Sequence, residues 1–186
     1  MKQGFMLAGV ASLALLAGCA QDGRQDRPEP TYESAARSDF VSTNYRAADA
    51  LVGQFRNRTG NGPLIVATVV NIDSLEQSST LGRLISEQIS ARFAQSGFTM
   101  IEMKFRNNVY IKRSEGELML TREITELARS HNAQAVVVGT YGTSADSVFV
   151  NMKIVEPGNN AILAVHDFVL PLNRDVRSML SRNTSR

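Results

Sequence analysis

The chain of 186 residues has no tryptophan, one cysteine and two histidines. Each shortage removes a class of chemistry. A single thiol cannot close an intramolecular disulfide, so any fold must stand on its hydrophobic core. His131 and His166 lie far apart, and neither has a second ligand at a metal-binding spacing. No metal is expected, and both histidines read as structural. No Gly-x-Ser-x-Gly elbow occurs, and no serine is placed with a histidine and an acid as a nucleophilic set would require. Glu115 and Glu117 fall in turn-like composition and read as solvated surface. The chain therefore reads as non-enzymatic, with no cofactor. Twenty basic against 18 acidic residues leave a formal charge of +2, which gives no support for nucleic acid as a partner. At 6% aromatic residues and no tryptophan, a sugar-stacking platform is disfavoured.

The lone cysteine sits in Leu16-Ala17-Gly18-Cys19, at the end of an apolar run. Lys2 supplies a positive start, and Phe5 to Leu16 carries no charge. That run falls short of the roughly 20 residues that cross a bilayer, but it fits a signal peptide. Leu16, Ala17, Gly18 and Cys19 resemble the bacterial lipobox. The resemblance implies that residues 1–18 are removed and that Cys19 carries a lipid, palmitate included. Each buried acyl CH₂ contributes about 0.8 kcal/mol, and stable anchoring takes two chains rather than one. Ala20, in place of an inner-membrane-retaining aspartate, implies the outer membrane by analogy, with the domain facing the periplasm.

Residues 19–38 comprise the lipidated cysteine and a linker. Gln21 to Arg27 is polar apart from one glycine, and Pro28 and Pro30 stiffen the second half of the linker. The 20–38 stretch reaches about 60–70 Å when extended. As a flexible coil it spans nearer ~25 Å. A domain then occupies 39–181, followed by a tail at 182–186.

Within the domain, Phe40, Tyr45, Ala48, Leu51, Val52 and Phe55 recur at helical spacing, after Ser38 or Asp39 as a cap. Asn57 to Pro63 breaks that helix. The loop is glycine-rich but precedes a strand, the wrong order for a phosphate cradle. Asn57-Arg58-Thr59 matches a glycosylation acceptor and reads as an exposed turn. Leu64 to Val70 is an unbroken apolar run suited to a strand covered on both faces. Ser79 or Thr80 caps a helix to Ser96 with Gly97 as its stop, and Leu81, Leu84, Ile85, Ile89 and Phe93 form its apolar stripe. A strand at Phe98–Met103 completes a βαβ unit with parallel strands.

Val109-Tyr110-Ile111 and Leu118-Met119-Leu120 suggest a small hairpin, with a helix capped at Ser114 as the rival. Thr121 caps a helix to about Ser130. Ala135–Tyr141 reads as a further buried strand, and Val148–Val155 pairs with Ala161–Leu170 as an antiparallel hairpin at a sheet edge. In that hairpin Asn151 and Lys153 share one face. Asn173–Ser181 suits a closing helix. The fold class is α/β with a mixed sheet: a βαβ unit plus an antiparallel C-terminal hairpin, helices packed on the sheet. In such sheets ligands often bind beyond the carboxyl ends of parallel strands. That edge carries Asn71, Asp73, Thr140 and Tyr141, with the Glu76–Thr80 loop, as a candidate ligand or partner site; a polar loop edge without a ligand is the alternative.

Leu75 to Gln88, reading LEQSSTLGRLISEQ, resembles the FlgO family of flagellar outer-membrane lipoproteins. So do Ser114-Glu115-Gly116-Glu117-Leu118, Thr121-Arg122-Glu123 and Val138-Gly139-Thr140-Tyr141. The resemblance runs from about Phe40 to Leu170. It implies a domain similar to the amino-terminal domain of TolB, and a non-enzymatic role at the flagellar base that affects motility. It offers no catalytic residue. Partners would be the membrane through Cys19 and other flagellar outer-membrane or periplasmic proteins, with a ring or other homo-oligomer as one assembly. The competing reading is a periplasm-facing binding module of another envelope process, such as cell-wall synthase activation or secretion.

Overall fold

The structure is a computed structural model and describes residues 39–56, 60–102, 110–112 and 118–181. Cys19, its lipobox, the linker, the Asn57-Arg58-Thr59 turn, Ser114–Glu117 and the tail lie outside the described residues. The chain order is α1 (Asp39–Phe55), β1 (Leu64–Val66), β2 (Val70–Asn71), α2 (Thr80–Gln95), β3 (Met100–Glu102), β4 (Tyr110–Lys112), β5 (Leu118–Leu120), α3 (Arg122–Ser130), β6 (Ala135–Thr143), β7 (Ser147–Val155), β8 (Ile162–Pro171) and α4 (Arg174–Ser181).

A six-stranded mixed sheet organises these elements in the order β3-β1-β6-β7-β8, with β2 also paired to β6. β1 lies parallel to both β3 and β6, with Ile65 opposite Ile101 and Val136. β6, β7 and β8 form the antiparallel half. β4 and β5 pair as a separate antiparallel hairpin, with Tyr110 opposite Leu120. No helix among the described residues is long and apolar enough to cross a membrane.

β1 is apolar throughout, and β6 is apolar from Ala135 to Val138, because both faces are covered there. Leu64, Val66, Ala135 and Val137 join the core under α1, α2 and α4. Ile65, Val136 and Val138 alternate to the other side, where Ile124 and Ala128 of α3 meet them. Capping chemistry sets the helix ends. The Ser79 hydroxyl accepts from the Gly82 N–H and the Thr121 hydroxyl from the Ile124 N–H. Gly97 takes φ +94° after α2, a conformation that a side chain would strain. Phe98 then packs on Phe55 and Phe93, with ring centroids 5.9 and 5.6 Å apart.

The Leu64–Val70 run differs from the single strand its composition predicts. It stops at Val66 and resumes at Val70. The Ala67 N–H still reaches the Val137 carbonyl at 2.9 Å. Val69 does not continue the ladder: its N–H donates to the Ser86 hydroxyl, and its carbonyl accepts from the Ser78 hydroxyl, both at 2.8 Å. Side chains from just before α2 and from its middle thus replace a neighbouring strand there.

α1 and α2 meet through polar as well as apolar contacts. Asn44 is fully buried and donates to Gln88 Oε1 at 2.7 Å, leaving its own Oδ1 without a partner. Arg92 grips Asp49 bidentately at 2.7 and 3.0 Å and lies over the Tyr45 ring. The hydrogen bond and charge of Asp49 raise the Arg92 pKa above its ordinary value.

Candidate functional site

The carboxyl edge of the parallel strands brings part of the expected set together. Register places Val70 opposite Thr140 and Asn71 opposite Tyr141. The Ile72 N–H donates to the Tyr141 carbonyl at 2.9 Å. Asn71 and Asp73 meet directly, the Asn71 Oδ1 accepting from the Asp73 N–H at 2.9 Å. The loop closes on itself, with the Asn71 N–H on the Gln77 carbonyl and the Gln77 N–H on the Ser74 carbonyl. Asp73 is exposed, whereas Thr140 and Tyr141 are buried. Successive residues of a strand point to opposite faces, so the side chains of Thr140 and Tyr141 diverge. Tyr141 belongs to the core under α1 and α2. Among the described residues, no three histidine, cysteine, aspartate or glutamate side chains gather as a metal set.

The segment Leu75 to Gln88 is consumed by architecture. Ser78 holds the Val69 carbonyl, and Ser79 caps α2. Gly82 lets the helix approach: a Cβ there would lie 2.2 Å from the Val69 oxygen. Ser86 accepts from the Val69 N–H and donates to the Gly82 carbonyl at 2.9 Å. Gln88 meets the buried Asn44. These residues form a clasp between α2, α1 and the broken strand. Removing the Ser86 hydroxyl strands a buried backbone N–H. Ser86→Ala is therefore expected to cost about 1–3 kcal/mol, read as a lower urea midpoint with an unchanged slope.

A third region does not stand out in the sequence. On the side of the sheet that α3 covers, the buried cluster includes Val155 and, among the described residues, no other residue of β7 or β8. Beyond it, Phe149, Asn151 and Lys153 of β7 stand beside Val169, Asp167 and Val165 of β8 in register. Phe149 is 56% exposed, Val169 47% and Val165 42%. Ile72 approaches the same row over Gly142, where a Cβ would be 3.3 Å from its Cγ2. The signal was present as parity: these apolar residues occupy the positions that alternate with the buried Val148, Val150, Met152 and Leu170.

A family model described as FlgO protein matches residues 45–175, most of the chain. Comparison with curated protein sequences finds no match. Among solved structures, the chain is similar to the LpoB C-terminal domain from Salmonella enterica, at 13% identity and a TM-score of 0.49, over 72% of this chain and 98% of that one. Escherichia coli LpoB, solved by NMR, aligns at 12% identity and a TM-score of 0.46, over 91% of this chain and 86% of that one. The PelC dodecamer from Paraburkholderia phytofirmans aligns at 17% identity and a TM-score of 0.36, over 60% of this chain and 72% of that one.

Proposed function

The chain belongs to the FlgO family, and on that premise we propose that it is an outer-membrane lipoprotein and a non-enzymatic structural component of the flagellar base, needed for motility. The observation that carries this reading is the extent of the family match, 45–175, which takes in nearly the whole described α/β domain. The lipobox at Leu16 to Cys19 and the polar linker behind it fit the same role. Anchor, tether and body then have separate duties. Acyl chains on Cys19 hold the protein in the outer membrane, facing the periplasm. The 20–38 linker lets the body stand off the headgroups by about 25 Å as a coil. The body, its signature segment spent on packing, works by touching neighbours rather than by turning over a substrate. A deletion strain tests this. Swimming in soft agar is expected to fall sharply and to return when the gene is restored. Wild-type swimming and flagellation in the deletion strain would overturn the proposal.

A further inference from the structure

We propose that the outer face of β7 and β8 is a self-complementary contact for a second copy of this chain. The surface has three rows. Ile72, Phe149 and Val169 make an apolar row across the sheet. Asn151 and Asp167 form the next, the Asn151 Nδ2 donating to Asp167 Oδ1 at 2.6 Å. Lys153 and Val165 form the third.

Lys153 and Asp167 are diagonal on this face, one row and one strand apart. Among the described residues Lys153 makes no ion pair with Asp167, whose carboxylate is held by the Asn151 amide instead. A two-fold operator can bring Lys153 of each copy to Asp167 of the other, with Phe149, Val165 and Val169 around them. An isologous interface needs this property, a patch whose charges complement themselves. Apolar neighbours exclude water and strengthen the two reciprocal pairs.

The competing mode is addition of a strand at the free edge of β8. Gln54 of α1 obstructs it. Its Nε2 donates to the Val165 carbonyl at 2.9 Å, and its Oε1 accepts from the Val165 N–H at 3.2 Å. That amide fills the place of an incoming peptide group in the middle of the strand. Pro171, at the end of β8, has no N–H to offer. The face is left as the route of contact. This inference stands apart from the flagellar role, because it concerns only the folded domain.

The test is sedimentation of the full chain in detergent over a range of concentrations. The variants are Lys153→Asp, Asp167→Lys, the double reversal, Phe149→Ser and Gln54→Ala, each checked for an unchanged fold by circular dichroism. The chain is expected to dimerise. Either single reversal should raise the dimer Kd about tenfold or more, and the double reversal should restore it. Phe149→Ser should weaken association, and Gln54→Ala should leave it unchanged. A monomer at every concentration would overturn the inference, including one whose face is covered only by another envelope protein. Single reversals without effect, a swap that fails to rescue, or a dimer that forms only in Gln54→Ala would do the same.

Discussion

A Gly82→Ala chain is expected to lose about 3 kcal/mol or more of stability. Its thermal midpoint should fall by roughly 10 °C for a domain of this size. The sign is what makes the experiment informative. In a helix interior, alanine is ordinarily favoured over glycine by about 1 kcal/mol. Gly82 sits in α2, so propensity alone predicts stabilisation. Space predicts the reverse. The added Cβ would meet the Val69 oxygen at 2.2 Å, the Ser78 hydroxyl at 2.6 Å and the Val69 carbonyl carbon at 3.2 Å. The first and last of these are backbone atoms, and they cannot swing aside. Val69 is held at its N–H by Ser86 and at its carbonyl by Ser78, so relief requires the clasp itself to open. Gly53 in α1 supplies the control. It is exposed, and a Cβ added there would find nothing within 4 Å. Gly53→Ala should raise stability by about 0.5–1 kcal/mol. Paired thermal and urea melts read both. Equal, positive shifts for the two variants would show that α2 does not press on Val69 as described.

A Cys19→Ala chain is expected to leave the outer-membrane fraction and to take up no labelled palmitate. The thiol is the only one in the sequence, so no second site can accept a thioether lipid. Each acyl CH₂ withdrawn from the bilayer gives up about 0.8 kcal/mol, and loss of every chain abolishes stable anchoring. The linker expected at 20–38 separates Cys19 from the domain, so the thermal midpoint should be unchanged. Motility should fall towards that of the deletion strain, because a body released from its membrane is no longer concentrated beside its neighbours. Retained palmitate labelling together with outer-membrane fractionation would refute the assignment of Cys19.

Much of the fold was legible because local chemistry and tertiary structure agree. Ser79 and Thr121 have the hydroxyl that a helix start needs, and Gly97 has the freedom that its φ requires. The continuous apolar runs at Leu64 and Ala135 mark strands buried on two sides. The break at Ala67–Val69 was not legible. Those residues favour a strand, and the groups that end it belong to Ser78 and Ser86, brought there only by the helix crossing. Asn44 is similar: a polar side chain inside an amphipathic pattern reads as surface, yet the partner Gln88 lies on another helix. At the sheet's carboxyl edge, topology correctly sets Asn71 beside Tyr141, whereas the two-residue period of β6 turns Thr140 and Tyr141 apart. The outer face of β7 and β8 was legible in phase but not in exposure, since alternation alone does not say which side a helix will cover.

The three attachments of α1 have a mechanical meaning. A pull that reaches the domain at Asp39, where this helix begins, meets these attachments in turn. Asn44 fastens it to Gln88, Asp49 to Arg92 and Gln54 to the backbone of Val165, at successive points along its length. Load entering at the first turn is thus spread over several fastenings in shear, and a rotating or flowing environment would have to strain them jointly before the helix could peel from the sheet.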